Sequence, residues 1–199
     1  MAPPAATFEL ADGTQIEVRP LVADDAPLLI EAFEGLSARS RISRFMTGID
    51  RLSPAQVEYL TNVDQWDHIA IGATVGGVPV AVARCVREAP GSVTAELAIT
   101  VVDDWQQQGV GFLMVQLIAT VAAEAGIERF SFATLATNVA VVHMLEAAGA
   151  EWGPTEGPTL LGSARVRRAD LPGVDQLVEL FAGFPRLSPR QAPGREQPS

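Results

Sequence analysis

The residues of this chain best suited to chemistry lie in one stretch, Ala95–Gly111, which reads AELAITVVDDWQQQGVG. An apolar, β-rich run carries one carboxylate, Glu96, and leads through a polar turn into a Gln-x-x-Gly-x-Gly element at Gln106, Gly109 and Gly111. A helical pattern begins directly afterwards. The first N–H groups of a helix have no acceptor within it and carry partial positive charge, and glycine allows close approach to the backbone. The stretch therefore predicts an anion site, such as a phosphate site.

Two common phosphate-binding motifs do not fit this element. No Lys-Ser/Thr pair follows the glycines, as the P-loop of nucleotide hydrolases requires. The dinucleotide-binding fingerprint needs Gly-x-Gly-x-x-Gly near the start of a parallel domain, with an acidic residue about 20 positions further on. Since an isolated Gly-x-Gly is more often a tight turn, the interpretation depends on the strand before it and the helix after it.

The elements that would position this site are predicted from hydrophobic periodicity, helix caps and turn residues. Strands are expected at 14–20, 68–75, 78–87, 93–102, 129–135 and 159–166. Helices are expected at 23–35, 37–46, 53–59, 109–125, 138–149 and 171–181. This order predicts a mixed sheet with helices on its faces, in the α/β or α+β class.

The domain organisation follows from the same pass along the chain. We expect residues 14–168 to form the main domain, preceded by a flexible segment at 1–13 and followed by a helical extension at 169–184. The last segment, 185–199, is rich in Pro, Arg and Gln and is expected to be a disordered tail.

The composition narrows the class of protein. A chain of 199 residues suits one domain with tails, and no apolar run reaches the roughly 18–20 residues of a membrane helix. The net charge of −10 argues against nucleic acid and suits a cationic amine, although solubility alone would explain it. Cys85 is the only cysteine, which excludes an intrachain disulfide and a cysteine-based zinc site. We therefore expect a cytoplasmic protein without metal, away from membranes.

The segment QQQGVG, placed after the strand AELAITVV, resembles motif A of the GNAT superfamily of acyl-CoA N-acyltransferases. There, a Gln/Arg-x-x-Gly-x-Gly/Ala loop holds the pyrophosphate of coenzyme A, and the preceding strand pairs with the pantetheine arm. The resemblance implies a GNAT fold, with a mixed sheet of about six to seven strands flanked by helices, and acetyl-CoA as co-substrate. The implied coenzyme contacts are Ile99, Thr100 and Val101 along the pantetheine, and Gln106, Gln107, Gln108, Gly109, Val110, Gly111 and Phe112 around the phosphates.

A second segment, Asn138–Ala150, resembles the later pattern of this superfamily, which begins with Asn and ends Gly-Phe. The resemblance implies that Asn138 contacts the cofactor, although Asn equally suits a helix cap. Many members carry, seven residues after this Asn, a Tyr that protonates the leaving thiolate, and here Leu145 stands at that position. His143 lies two positions away, about 200° around the helix, and is expected to be partly buried. Water could supply the proton instead.

A proton acceptor is also needed, because an amine must be neutral to attack a thioester. Glu96 lies on the strand that would hold the cofactor, and its apolar neighbours would shield it from water. From the residues alone, an outward-facing strand position fits equally well, since side chains alternate. The resemblance favours catalysis, because protein-lysine acetyltransferases of this superfamily use a glutamate in an Ala-Glu pair on this strand.

The N-terminal half resembles, more loosely, the acetyltransferase domain of bacterial Pat-type protein lysine acetyltransferases. The residues that carry this resemblance are Leu36-Ser37, Ser40, Arg44-Phe45, Leu52-Ser53, Thr61, Asp64 and His68. It implies a protein lysine as acceptor, such as that of an acyl-CoA synthetase. The expected assembly is a monomer or a homodimer. A small-molecule amine N-acetyltransferase and a non-catalytic acyl-CoA-binding regulatory module remain open alternatives.

Four further residues are expected to be structural. His68 opens a strand, where histidine more often packs than reacts. Arg39, Arg41 and Arg44 could bind a phosphate of coenzyme A, but a solvated helix face with acidic partners is the simpler expectation.

Overall fold

The computed structural model describes residues 4–184 of the chain, apart from the side chain of Glu156. Alternating apolar and polar residues form eight strands of one sheet. They are β1 (Ala6–Glu9), β2 (Gln15–Pro20), β3 (His68–Val75), β4 (Val78–Arg87), β5 (Thr94–Val101), β6 (Arg129–Leu135), β7 (Glu151–Glu156) and β8 (Thr159–Arg165). Their order is β1-β2-β3-β4-β5-β6-β8-β7. Within residues 4–184, only β5 and β6 pair in parallel.

Six α-helices accompany the sheet among the described residues. They are α1 (Ala26–Glu34), α2 (Ala38–Phe45), α3 (Pro54–Thr61), α4 (Val110–Glu124), α5 (Val139–Ala147) and α6 (Val174–Phe181). Local chemistry fixes two of their starts: Ser37 accepts a hydrogen bond from Ser40 N, and Ser53 accepts one from Gln56 N, each at 3.2 Å. The mixed α/β fold predicted from the sequence is thereby confirmed.

The helices cover the sheet from both sides. Helix α4 packs on β3, β4 and β5, and α6 packs on β1 and β2 of the same face. The main core lies there and includes the fully buried Ile71, Met114 and Ile118. On the opposite face, α1 and α3 enclose a smaller cluster of Leu29, Leu60 and Val82. The central strand β5 therefore lies between two packed layers.

The sheet has eight strands rather than the expected six to seven, because two short edge strands were missed. Strand β1 lies in segment 1–13, which was expected to be flexible; among the described residues of that segment, Ala6–Glu9 pairs with β2 and buries Ala6 and Phe8. Strand β7 contains Gly153 and Pro154, residues that disfavour strands, and its register shifts there. An edge strand tolerates proline because one side of it needs no partner.

The C-terminal part divides at residue 184. Within 169–184, where a helical extension was expected, α6 buries Val174 and Leu177 against the rest of the domain. The expected disordered tail, 185–199, lies outside the described residues. Within 4–184, no helix combines the length and apolar character needed to cross a membrane.

Candidate active site

The parallel strands β5 and β6 separate soon after they meet. Their register covers Thr94–Glu96 against Arg129–Ser131 and goes no further, although β5 continues to Val101 and β6 to Leu135. We call the resulting gap the fork; it lies between residues 97–101 and 132–135. On the fork side, the backbone N–H and C=O groups of β5 that do not bond to β4 are open to a ligand.

A pocket of about 740 Å³ occupies the fork and extends to the start of α4 and along α5. Ten of the twelve site residues predicted from the sequence line it: Glu96, Ile99, Thr100, Val101, Gln106, Gln107, Gly109, Gly111, Phe112 and Asn138. The other two do not. Val110 is fully buried beneath the loop, and Gln108 turns its amide back to donate to the carbonyl of Asp104 at 2.6 Å.

The loop before α4 has a backbone suited to holding an anion. Gln107 and Gly109 have φ of 60° and 87°, and such left-handed residues curl successive N–H groups into a concave surface. The N–H groups of Val110, Gly111 and Phe112 fall in the first helical turn, where they have no acceptor within the helix. No described side chain accepts a hydrogen bond from them.

The two glycines of this loop serve different purposes. A side chain at Gly109 would meet nothing within 4 Å, so only its left-handed conformation requires glycine. At Gly111 the φ is ordinary, but an added Cβ would come within 3.1 Å of Met144 Sδ on α5. The second glycine therefore lets α5 approach the first turn of α4, which brings both helices to the pocket.

Asp103 ties this loop to α2. Its carboxylate accepts hydrogen bonds from Ser37 N at 3.3 Å and from Gln106 Nε2 at 3.1 Å, and Gln106 Nε2 also donates to Ser40 Oγ at 3.2 Å. Burial acts to raise the pKa of Asp103, but hydrogen bonds from Ser37 and Ser40 outweigh it and lower that pKa. The amide N–H of Gln106 is also committed, since it donates to the carbonyl of Asp103.

Glu96 is exposed on the pocket wall, so the expected shielding by its neighbours is wrong. Side chains alternate along β5, and Ala95 and Leu97 therefore turn into the core on the α4 side while Glu96 faces the other way. Apart from Asp103, which is bound within the loop, Glu96 is the only carboxylate lining the pocket among the residues that the structure describes. It is therefore the pocket's one carboxylate free to meet a ligand.

Arg44 is a site residue that the sequence analysis missed. It is half-buried on the pocket wall, and its Nε donates to Thr100 Oγ1 at 3.1 Å. Burial lowers the pKa of its guanidinium, while the nearby charge of Glu96 acts in the opposite direction. The two side chains thus face the same space without forming a direct ion pair. The neighbouring Phe45, which packs against Phe33 of α1, was the only available signal that this helix turns inward.

The expected solvated helix face is therefore wrong for two of the three arginines on α2. Arg41 lies over the ring of Phe33, with its guanidinium carbon 4.5 Å from the ring centre, and donates to Asp50 O at 2.9 Å. Arg44 turns towards β5. Only Arg39 is exposed, at the edge of the pocket.

Helix α5 forms the far side of the pocket. Asn138 precedes its first turn but makes no side-chain capping bond, which leaves its amide available in the pocket. Leu145 lines the pocket and is buried. His143 points elsewhere, as expected from the helical spacing, but it is exposed rather than partly buried. Leu145 carries no proton donor and His143 does not line the pocket, so neither side chain supplies a proton there.

His68 lies outside the pocket in a structural cluster. Its ring contacts that of Tyr59, with centroids 5.2 Å apart, and its Nε2 lies 3.1 Å from Nη1 of the buried Arg84. Burial, followed by the charge of Arg84, lowers the pKa of His68 to about 4. Its neutral ring can therefore accept a hydrogen bond from Arg84, which fits the structural role expected for it. Among residues 4–184 there is no cluster of three or more His, Cys, Asp or Glu side chains able to hold a metal.

Most of this chain is similar in sequence to known proteins. A family model described as the acetyltransferase (GNAT) family matches residues 38–150. Acetyltransferase Pat of Mycolicibacterium smegmatis is 33% identical over 147 residues, which is 72% of this chain and 44% of that protein. The chain thus spans less than half the length of this curated relative.

Solved structures give the same picture. The GNAT domain of S. lividans PAT superimposes with a TM-score of 0.78 and 31% identity, covering 83% of this chain and 99% of that domain. A cAMP-binding acyltransferase from Mycobacterium smegmatis superimposes with a TM-score of 0.67 and 25% identity, covering 90% of this chain and 54% of the other.

Proposed function

Because this chain belongs to the GNAT family of acetyltransferases and is therefore an acyltransferase, we propose that it transfers an acetyl group from acetyl-CoA to a protein lysine. Glu96 is the proposed general base. One observation carries this proposal: the unpaired amides at the start of α4 and the carboxylate of Glu96 open into the same fork. The first group suits a phosphorylated donor and the second suits an amine.

The donor would lie along β5. Its diphosphate would sit against the N–H groups of residues 109–112, and its pantetheine arm would follow Ile99, Thr100 and Val101 down the fork. Gln107, Phe112 and Asn138 line the same path. The open backbone groups of β5 can hydrogen-bond this arm as a missing strand would, and one N–H can polarise the thioester carbonyl.

The chemical step follows from the position of Glu96. Its carboxylate takes a proton from the ammonium or the attacking amine, directly or through water, because Glu96 is exposed to the pocket. The amine then forms the C–N bond, and the sulfur leaves with its electron pair as the C–S bond breaks. Holding donor and amine in one fork supplies the orientation that the reaction needs.

A covalent acetyl-enzyme is not part of the proposal. Cys85 is fully buried on the α4 side of β4, and burial raises the pKa of its thiol to about 12. The described residues lining the pocket include no cysteine or histidine. Direct attack of the amine on the thioester is the route that these residues support.

The shape of the acceptor side supports a protein lysine rather than an enclosed small amine. The sheet face that carries Glu96 continues across the register pairs Glu96–Ser131 and Ala133–Leu161. Ala133 and Leu161 are exposed, so this face remains open beyond the area covered by α1 and α2. The net charge of −10 also favours a cationic surface. By the resemblance to Pat-type enzymes, the lysine of an acyl-CoA synthetase is a candidate acceptor.

Acetyl-labelled acetyl-CoA added to a bacterial lysate separates the candidate functions. We expect the label to enter protein lysines with the wild-type chain and not with Glu96→Gln. Label in free amines instead would indicate a small-molecule acetyltransferase. Tight binding of acetyl-CoA without release of thiol, whatever the amine, would indicate the non-catalytic module.

A further inference from the structure

Thr134 is a buried threonine whose hydroxyl has no partner among the described residues. It lies on β6, is 4% exposed and lines the fork pocket. The other two buried threonines, Thr61 and Thr120, each donate to the backbone carbonyl four residues earlier, at 2.9 and 3.0 Å. The Thr134 oxygen is not fully enclosed by protein, and the little surface that it keeps opens into the pocket, where a ligand atom can accept its hydrogen bond.

The register places Thr134 relative to the donor. Glu96 and Ser131 are the last paired residues of the two parallel strands. Three residues further along each strand, Thr134 is level with Ile99, about 10 Å beyond the last pair. Thr134 and Ile99 also share a sheet face, because Ala95 is paired with Phe130. Glu96 faces the opposite side, so the carboxylate and the hydroxyl lie on opposite faces of the fork.

We infer that the hydroxyl of Thr134 donates a hydrogen bond to the sulfur of the departing thiolate. This inference rests on the proposed function. The amine enters from the face of Glu96, and the C–S bond breaks with both electrons passing to sulfur. Thr134 keeps its own proton and stabilises the developing negative charge, and the thiolate later takes a proton from water. The hydroxyl on β6 thus supplies the hydrogen bond to the leaving sulfur that Leu145 of α5 cannot supply.

The other hydroxyls of the pocket are committed or placed elsewhere. Thr100 Oγ1 accepts from Arg44, Ser40 Oγ accepts from Gln106 at 3.2 Å, and Ser37 Oγ accepts from the backbone N–H of Ser40 at 3.2 Å. Ser43 lies on α2, which packs on the face that carries Glu96, and Thr137 is exposed in the loop before α5. Among the described residues that line the pocket, Thr134 is therefore the one whose side chain is buried, unpaired at its hydroxyl and across the fork from Glu96.

Binding of free coenzyme A and of desulfo-coenzyme A, measured by calorimetry, tests this inference without an acceptor. The two ligands differ only in the thiol, which ionises in the alkaline range as the cysteine thiol does. At a pH one unit above the pKa of the coenzyme A thiol, we expect the wild-type chain to prefer coenzyme A by about tenfold, as suits a hydrogen bond to a charged group. Thr134→Val should lose this preference, and Thr134→Ser should retain it. Thr155→Val, an exposed strand threonine on β7, is the matched control and should behave as the wild type.

Each other outcome overturns a specific statement. If neither ligand binds the wild-type chain, the proposed function fails. If both bind but Thr134→Val keeps the preference for the thiolate, or loses affinity for both ligands equally, the hydroxyl does not act on sulfur. If Thr134→Ser behaves like Thr134→Val, the effect comes from packing. Thermal melting of each variant checks the fold, and we expect both Thr134→Val and Thr134→Ser to melt close to the wild type.

Discussion

The two walls of the fork are built in different ways. The donor wall, residues 101–112, is one continuous segment whose shape is set by local bonds around Asp103 and by two left-handed residues. The acceptor wall, defined here by Arg44, Glu96 and Ala133, comes from three elements far apart in the sequence. Binding of the donor and turnover of the amine should therefore respond to separate substitutions.

The largest separation is expected at Glu96. Glu96→Gln keeps the size of the side chain but cannot accept the amine proton, so we expect kcat to fall by about 10²–10⁴. The KM for acetyl-CoA should stay within about twofold, because a carboxylate on the other wall does not hold the donor. Thiol release with a lysine peptide measures both values. Glu88→Gln, exposed on the same face and hydrogen-bonded to Ser131, is the matched control and should keep its activity.

The reverse pattern is expected at Gly109. Gly109→Ala places a side chain on a backbone with φ of 87°, which costs about 1–2 kcal/mol and displaces the amides of the donor wall. We expect the affinity for acetyl-CoA to fall about 5- to 30-fold by calorimetry, while kcat at saturation changes little. Gly48→Ala is the control, because that glycine has open space around it and no left-handed φ. An unchanged affinity would contradict the role given to the donor wall.

The stability contributed by the cluster around His68 should respond to pH. The pKa of His68 is lowered from 6.5 to about 4 in the folded chain. The unfolded chain therefore binds more protons in that window, so the free energy of unfolding should fall as the pH drops from 6.5 to 4 and level off below it. We expect a loss of about 1 kcal/mol after allowing for solvent screening of this partly exposed ring. Urea unfolding across this pH range measures the loss in the wild-type chain and in His68→Gln, and the variant should lack this part of the pH dependence.

The smallest effect is expected at Arg44. Arg44→Met keeps the packing of the stem but removes the bond to Thr100 and the charge that faces Glu96. We expect kcat to fall about 3- to 10-fold, with the KM for acetyl-CoA unchanged. Arg41→Met on the same helix serves as the control: it loses the contact with Phe33 and should affect the melting temperature alone. Equal losses of kcat in both variants would mean that Arg44 acts only through stability.

The same contrast explains what could be read from the sequence. The donor wall was predicted nearly residue by residue, because its turn, glycines and helix start are local features. The roles proposed for its residues stay predictions until a ligand is tested. Two of its side chains do not reach the pocket, since Gln108 turns back to Asp104 and Val110 is buried, although the N–H group of Val110 stays part of the proposed diphosphate site.

The acceptor wall was harder to predict because tertiary contacts decide it. Arg44 turns inward where α2 meets β5, and only the neighbouring Phe45 distinguishes it from the exposed Arg39 of the same helix. The exposure of Glu96 likewise depends on where β6 separates from β5. Their last paired residues, Glu96 and Ser131, lie more than 30 positions apart in the sequence. Strands β1 and β7 were missed for a related reason: short edge strands with few buried residues gain their stability from a neighbour rather than from their own pattern.

The bonds of Asp103 have a kinetic consequence. They fasten the first turn of α2 to the segment that begins α4, so a donor that stiffens this segment also fixes the helix that carries Arg44. A lysine arriving before the donor would meet a partly formed surface, whereas one arriving afterwards would meet a finished one. We therefore expect compulsory-order kinetics with the thioester bound first, and Asp103→Ala should convert this sequence of events into random addition.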